Sequence, residues 1–290
     1  MKIEESFEEW GLSNDEKFFA EDSVILASKP LSRETLTMWI LLLVLSFLSI
    51  YALLTIDYQS VNLGKALADT LNNFKIIFLH PAAHRLGLWD AFYEVVITLG
   101  LAFLTTLFGG IIALFLGLLA AQNLAPLKVT YIIKGFVAFI RAVPSILWVL
   151  IFAVAAGLGS VAAVIGLTFH SVSYLTKAYS ESFEELDRSV IEALMASGAN
   201  WWQIVFQAVI PSSVTSLLSW TFMRFEMNFA NAVAMGAAAG AAGIGFDLFM
   251  DSGFYFDLRE IGLVTYFILA FAIVLETIST KLKGKIQKKA

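Results

Sequence analysis

Apolar residues in this chain fall in blocks long enough to cross a bilayer, separated by shorter polar stretches. A hydrocarbon core takes about 20 residues of helix, and the run from Thr37 to Ile56 supplies one uninterrupted span. Residues 57–90 are polar, with Lys65, Asp69, Lys75, His80, His84 and Arg85. Residues 91–122 form a second, longer segment containing Gly100, Gly109, Gly110 and Gly117, and such small residues let helix backbones approach closely in lipid. A third span is expected from about Val143 to Gly157, after an amphipathic lead-in marked by Lys128 and Lys134. A fourth runs from Ser160 to Tyr179, with only a glycine turn between them. The polar loop 180–211 precedes a fifth span at 213–235 and a sixth at 261–280. The pattern predicts an all-α polytopic membrane protein with about six transmembrane helices.

Charge adds an orientation. The first 36 residues are polar and acid-rich (Glu4, Glu5, Glu8, Glu9, Asp15, Glu16, Glu21, Asp22), unlike the basic start and short apolar core of a signal peptide. They read as a cytoplasmic tail, which Trp10, Phe18 and Phe19 would let lie against membrane or partner, or which is simply solvated. An even number of spans puts both termini on one side. Lys281, Lys283, Lys285, Lys288 and Lys289 place that side in the cytoplasm. Loops 123–142 and 180–211 are then inside, and 57–90 and 246–260 outside. The expected organisation is a tail at 1–36, one transmembrane domain at 37–285 and a C-terminal tail at 286–290.

Composition narrows the chemistry. Of the 290 residues 59% are hydrophobic and 15% charged, against about a quarter charged in soluble domains. Cysteine is absent, which excludes disulfides and thiolate chemistry. His80, His84 and His170 are too scattered to predict a metal site, and no basic patch suits nucleic acid. Lipids are the expected surroundings.

The most specific local pattern lies in the loop after the fourth span, at 187–211. Ser189 and Glu192 have capping-box spacing, predicting a short helix to about Ser197. Gly198 can take the left-handed conformation that ends it. Asn200 with Gln203 caps the next turn, where Trp201, Val205 and Val209 share a face with Trp202 and Phe206 beside it, and Pro211 is expected to break that helix. An interfacial aromatic connector is the plain alternative.

The stretch Glu192-Ala193-Leu194-Met195-Ala196-Ser197-Gly198, with Ile210-Pro211 beyond it, resembles the "EAA" loop of permease subunits of bacterial ABC importers. Glu192, Ala193, Gly198 and Pro211 match that pattern, while Leu194, Ala208 and Ile210 replace other apolar residues. The resemblance runs from about residue 90 to the C-terminus. Arg141-Ala142-Val143-Pro144 resembles the Arg-x-x-Pro of such permeases, and Gly240-Ala241-Ala242-Gly243-Ile244-Gly245 the glycine-rich turn of the methionine and phosphonate kinds. Arg224-Phe225-Glu226-Met227-Asn228 resembles a run in phosphonate-type permeases.

This resemblance implies a type I ABC importer permease fold in a bacterial cell membrane. It implies a homodimer, a separate ATPase docked on Glu192, Ala193, Leu194, Gly198, Trp201 and Pro211, and an external solute-binding protein. The substrate implied is a phosphonate- or phosphite-like oxyanion. A vitamin or organic cation, or an ATP-independent carrier, are the alternatives. No cofactor of its own is expected. The glycines at 236–245 lack the Lys-Ser/Thr of a phosphate loop, so ATP would be bound by the partner.

Within the spans, Arg224 and Asn228 are four residues apart and share a helical face. Glu226 points elsewhere. Arginine costs about 2.5–3.5 kcal/mol at mid-bilayer, so Arg224 must meet protein, water or a counter-charge. Two readings stay open. Arg224, Glu226, Asn228 and His170 line a path for an anion, or Arg224 pairs with an acid such as Glu276 and holds the bundle. An intramembrane enzyme would need a catalytic constellation within the spans, and His170 has no evident nucleophile beside it.

Overall fold

A computed structural model describes residues 33–55 and 62–287, which are helical with short connections and include no strand. The acid-rich tail and the last three residues, including Lys288 and Lys289, lie outside the described residues. The chain divides into two compact units, 1–66 and 67–290. In the first, α1 (Arg33–Thr55) is apolar around its whole circumference and has no buried residue, as a helix facing lipid on every side would. Then come α2 (Leu63–Leu79), α3 (Leu88–Ala120), α4 (Leu127–Ala142), α5 (Ser145–Ala156) and α6 (Ser160–Glu184). A short pair, α7 (Arg188–Ala196) and α8 (Trp201–Ile204), leads through a π turn (Val205–Val209) into α9 (Ile210–Ala239). The chain ends with α10 (Ile244–Met250), a second π turn (Asp251–Tyr255) and α11 (Leu258–Gln287).

Among the described residues four helical stretches are long and apolar enough to cross a membrane: Arg33–Thr55, Leu88–Ala120, Trp201–Ala239 and Leu258–Lys281. They contain the spans expected at 37–56, 91–122, 213–235 and 261–280, apart from a residue or two at two ends. The other two expectations need correction. The span at 143–157 is only the second arm of a broken pair, α4 and α5, bent by 90°. Pro144 disfavours helix at Val143, which is extended (φ −94°, ψ 125°), so α4 stops at Ala142. Trp148 donates its indole N–H to the carbonyl of Ile140 at 3.0 Å, which steadies the corner. At 12 residues α5 is about 18 Å long, too short to cross alone. The span at 160–179 sits in α6, which is long enough to cross but more polar than a helix that faces lipid. The expected polar loop 57–90 also contains a helix, α2, whose Phe78 carbonyl accepts from Tyr266 on α11 at 2.6 Å.

The polar composition of α6 is explained by its position. Ser171, Ser173, Thr176, Ser180 and Ser182 are all buried, in a helix packed against α3, α4, α5 and α9. Lipid does not drive helices together as water does, so association rests on close packing and hydrogen bonds. The approach of α5 is the tightest side. A Cβ on Gly166 would lie 2.6 Å from Cα of Val149, a separation backbones reach only where one partner lacks a side chain.

Gly166→Ala is therefore expected to destabilise the fold by about 1–3 kcal/mol through overpacking. Gly135→Ala, where a Cβ meets nothing within 4 Å, should be neutral or stabilise by about 0.5–1 kcal/mol. Thermal melts in detergent followed by tryptophan fluorescence compare the two. Equal melting temperatures would contradict the close α5–α6 approach.

Candidate functional site

The first candidate is the α7–α8 hairpin. Helix α7 starts at Asp187, whose carboxylate accepts the backbone N–H of Ser189 at 2.8 Å. That bond and a second from the Ser189 hydroxyl hold the Asp187 carboxyl below its usual range. The expected Ser189–Glu192 capping box is thus replaced. Asp187, two residues earlier, takes the cap, and Glu192 pairs with Arg188 at 3.1 Å along the exposed helix surface. Gly198 does end the helix in the left-handed region (φ +88°). Its N–H donates to the Met195 carbonyl and that of Ala199 to the Leu194 carbonyl, each at 3.0 Å. Asn200 and Gln203 form the expected capping box, with bonds of 2.7 and 3.0 Å.

The hairpin has an anchored side and an open side. Trp201 donates its indole N–H to the Leu124 carbonyl at 2.9 Å, tying it to the connection after α3. Ile191, Ile204, Val205 and Val209 are buried with Leu118, Leu175, Phe183 and Leu217, and Leu194 packs against them. Each such side chain taken from water contributes about 1.5–3 kcal/mol. Glu192, Ala193, Gly198 and Pro211 are exposed. So are Met195, Trp202 and Phe206, with the Trp202 and Phe206 rings stacked 5.9 Å apart. Of the six residues expected to dock a partner, four lie on the open side, while Leu194 and Trp201 secure the hairpin to the bundle.

Pro211 does not break the helix that follows. From Trp201 to Ala239 the chain is one helical stretch of 39 residues. The π turn accommodates the proline, with the Ile210 N–H reaching back five residues to the Val205 carbonyl. Proline lacks a donor and its ring crowds the carbonyl four residues earlier. A wider turn just before it relieves both conflicts locally.

The second candidate is a buried polar array between α3, α6 and α9. The Arg224 side chain is fully buried. Its Nε donates to Ser171 Oγ and its Nη2 to His170 Nδ1, both at 3.0 Å. A guanidinium can only donate, so His170 Nδ1 accepts and the ring proton sits on Nε2. The Arg224 Cζ lies 5.2 Å from the Tyr174 ring centroid, a cation–π contact. Asn228, also fully buried, donates to Thr106 Oγ1 and Ser171 Oγ, each at 2.9 Å. Among the described residues Arg224 Nη1 has no hydrogen-bond partner. No carboxylate pairs with Arg224 among the described residues, which corrects the expectation of an acid such as Glu276. That residue is exposed on α11. Glu226 is half-buried on α9, off the array. Arg141 lies in the last turn of α4.

A third polar group was not foreseen from the sequence. Arg85 binds Asp251 at 2.9 Å and Asp247 at 3.5 Å, and its guanidinium lies over the Tyr255 ring. The backbone N–H groups of Arg85 and Leu86 both donate to Glu260 Oε1. Hydrogen bonding to Asp251 raises the Arg85 pKa, whereas burial pushes the Asp251 carboxyl up. The cluster clasps the start of α3 to the start of α11. The glycine-rich turn at 240–245 is tied down nearby, with the Ile244 N–H bound to Thr98 Oγ1 at 3.0 Å.

Comparisons with known proteins bear on the family and the fold. Residues 113–289 match the family described as binding-protein-dependent transport system inner membrane component. The chain is 29% identical over 195 residues to the phosphate-import permease protein PhnE of Mycolicibacterium smegmatis. That match covers 67% of this chain but only 36% of the relative. It is 30% identical to the phosphite transport system permease protein PtxC of Stutzerimonas stutzeri, over 64% of this chain and 67% of that one. Its fold is similar to a chain of the MetNI methionine ABC transporter in an inward-facing conformation. The TM-score there is 0.61 at 21% identity, covering 69% of this chain and 97% of the other. The chain belongs to the family of binding-protein-dependent transport system inner membrane components.

Proposed function

We propose that this chain is the membrane-spanning permease subunit of an ATP-driven importer. In this reading two copies enclose the path, and a separate ATPase docks on the α7–α8 hairpin and hydrolyses ATP. An external binding protein delivers the solute. The hairpin lies on the cytoplasmic side of a bacterial membrane, as do both termini. The observation that carries the reading is the hairpin's construction. A self-capped helical turn bound to the bundle through Trp201 presents Met195, Trp202 and Phe206 to solvent. A surface so built has a rigid base and an unfilled apolar face, which is what a docked partner needs.

The continuous helix from Trp201 supports a mechanism. Residues 201 and 224 are 23 positions apart, about 35 Å of helix. Motion imposed on the hairpin by closing ATPases would be carried along this rod to Arg224 at the heart of the bundle. The path would then switch between inward- and outward-facing forms by helix movement around α6.

The substrate we propose is a phosphonate- or phosphite-like oxyanion. Arg224 supports it, as a fully buried cation with neutral partners among the described residues and a terminal nitrogen, Nη1, whose N–H groups are unused there. Guanidinium matches oxyanion geometry, and a missing hydrogen bond on a buried charge is costly, so an anion arriving at Arg224 Nη1 would be bound. His170 and Ser171 hold the guanidinium against α6, and Asn228 bonds Ser171 in turn. The relatives PhnE and PtxC, named for phosphate and phosphite, favour the same class.

Gly198→Asp is expected to leave the chain in the membrane but to abolish co-purification of the ATPase, because the left-handed turn and the open face are both disturbed. Normal recovery of ATPase with the variant would refute the docking assignment. Arg224→Gln should lower phosphonate uptake at least about tenfold, with capture by the isolated binding protein unchanged. Loss of assembled complex in that variant, with no separate transport defect, would instead make Arg224 a purely structural residue.

A further inference from the structure

Beside the buried array, a separate pocket of about 290 Å³ opens between α4 and α6, toward the hairpin end of the bundle. Lys134 and Arg141 line it from α4, and Thr176, Lys177, Ser180 and Glu181 from α6. The volume is at the lower end for small-ligand pockets. The charges in and around it are unequally satisfied. Lys134 pairs with Glu184 at 2.9 Å, and Lys177 with Glu181 at 3.5 Å. Arg141 has no ion pair among the described residues, so three cations face two carboxylates. The guanidinium is the uncompensated group.

A second observation concerns the wall. Thr176 is fully buried and its hydroxyl has no hydrogen-bond partner among the described residues. A buried hydroxyl left unbonded costs about 1–3 kcal/mol, yet this one borders a cavity large enough to admit a polar guest. Ser180 lies one turn further along the same face, its hydroxyl donating to the Lys177 carbonyl at 2.9 Å. Its oxygen retains acceptor capacity.

We propose that this pocket is a binding site for a tetrahedral phosphoryl or phosphonyl oxyanion, held by the Arg141 guanidinium and the Thr176 hydroxyl. Arginine supplies a planar fork of donors suited to two oxygens of such a group. Thr176 donates to a third, which satisfies its hydroxyl. Lys134 and Lys177 hold the neighbouring carboxylates of Glu184 and Glu181, so that the anion meets a net positive wall. The site is distinct from the Arg224 array. It does not depend on which solute the transporter carries, because its occupancy is read by binding and not by uptake.

The same chemistry is offered by a free anion and by the headgroup of an anionic lipid, and the test separates them. The full chain is reconstituted in nanodiscs of neutral phosphatidylcholine and titrated with methylphosphonate and with inorganic phosphate by calorimetry. In parallel, native mass spectrometry follows retention of phosphatidylglycerol on the chain from mixed nanodiscs. Binding of either free anion, weakened about tenfold by Arg141→Gln and severalfold by Thr176→Val, is the expected result and identifies a soluble ligand. No anion binding, but phosphatidylglycerol retention lost in the same variants, upholds the site with lipid as its occupant. Absence of both, or binding indifferent to both substitutions, overturns the proposal. Thr176→Val preserves side-chain shape, so it decides the matter if Arg141→Gln does not fold.

Discussion

Keeping α6 out of lipid is the constraint on which the rest depends. Its buried serines and threonines would each be costly in hydrocarbon, and a helix with that composition is stable only when other helices wrap it. The wrapping in turn requires close backbone approach. Gly166 admits α5, and Gly109 admits α3, where a Cβ would fall 2.7 Å from Ser171 Cβ. Once wrapped, α6 supplies the polar groups that receive Arg224 and Asn228. The same helix supplies the threonine that borders the α4 pocket. Packing and chemistry are therefore two uses of one helix, and a loss of packing at Gly166 would be felt at both sites.

The hairpin is the complementary case, built by local chemistry and then fastened. Asp187, Gly198, Asn200 and Gln203 satisfy the ends of its two helices within a few residues, so its shape needs little help from the bundle. Its position does need help, and Trp201 and Ile191 provide it. A surface that is locally determined and anchored at a few points can transmit force without unfolding. That suits a lever at one end of the helix that carries Arg224.

The features legible in the sequence were those decided over short distances. The Gly198 turn, the Asn200–Gln203 box and the shared face of Arg224 and Asn228 depend on spacings of three or four residues. Where two local signals competed, reading failed: Asp187 took the cap that Ser189 seemed to hold, and a π turn absorbed the conflict that Pro211 was expected to resolve by breaking the helix. Contacts between distant segments were out of reach. Nothing in the neighbourhood of Arg224 says that His170 and Ser171, 53 or 54 positions away, are its partners and Glu276 is not. The Arg85 clasp joins residues 166 positions apart. The polar helix α6 was counted as an ordinary span because length and mean apolarity do not reveal which faces are covered by protein.

The π turn at 205–209 separates chain length from helical phase. A single additional residue in a regular α-helix would turn everything beyond it by about 100°, so that either the hairpin or Arg224 would face the wrong way. Absorbed in one widened turn, the extra residue leaves both flanks on their original sides. A chain one residue shorter here, and without the proline, would run as an unbroken α-helix and still present its arginine to α6. The widened turn thus makes a one-residue difference in length geometrically silent, and what the two ends of the helix contact does not depend on it.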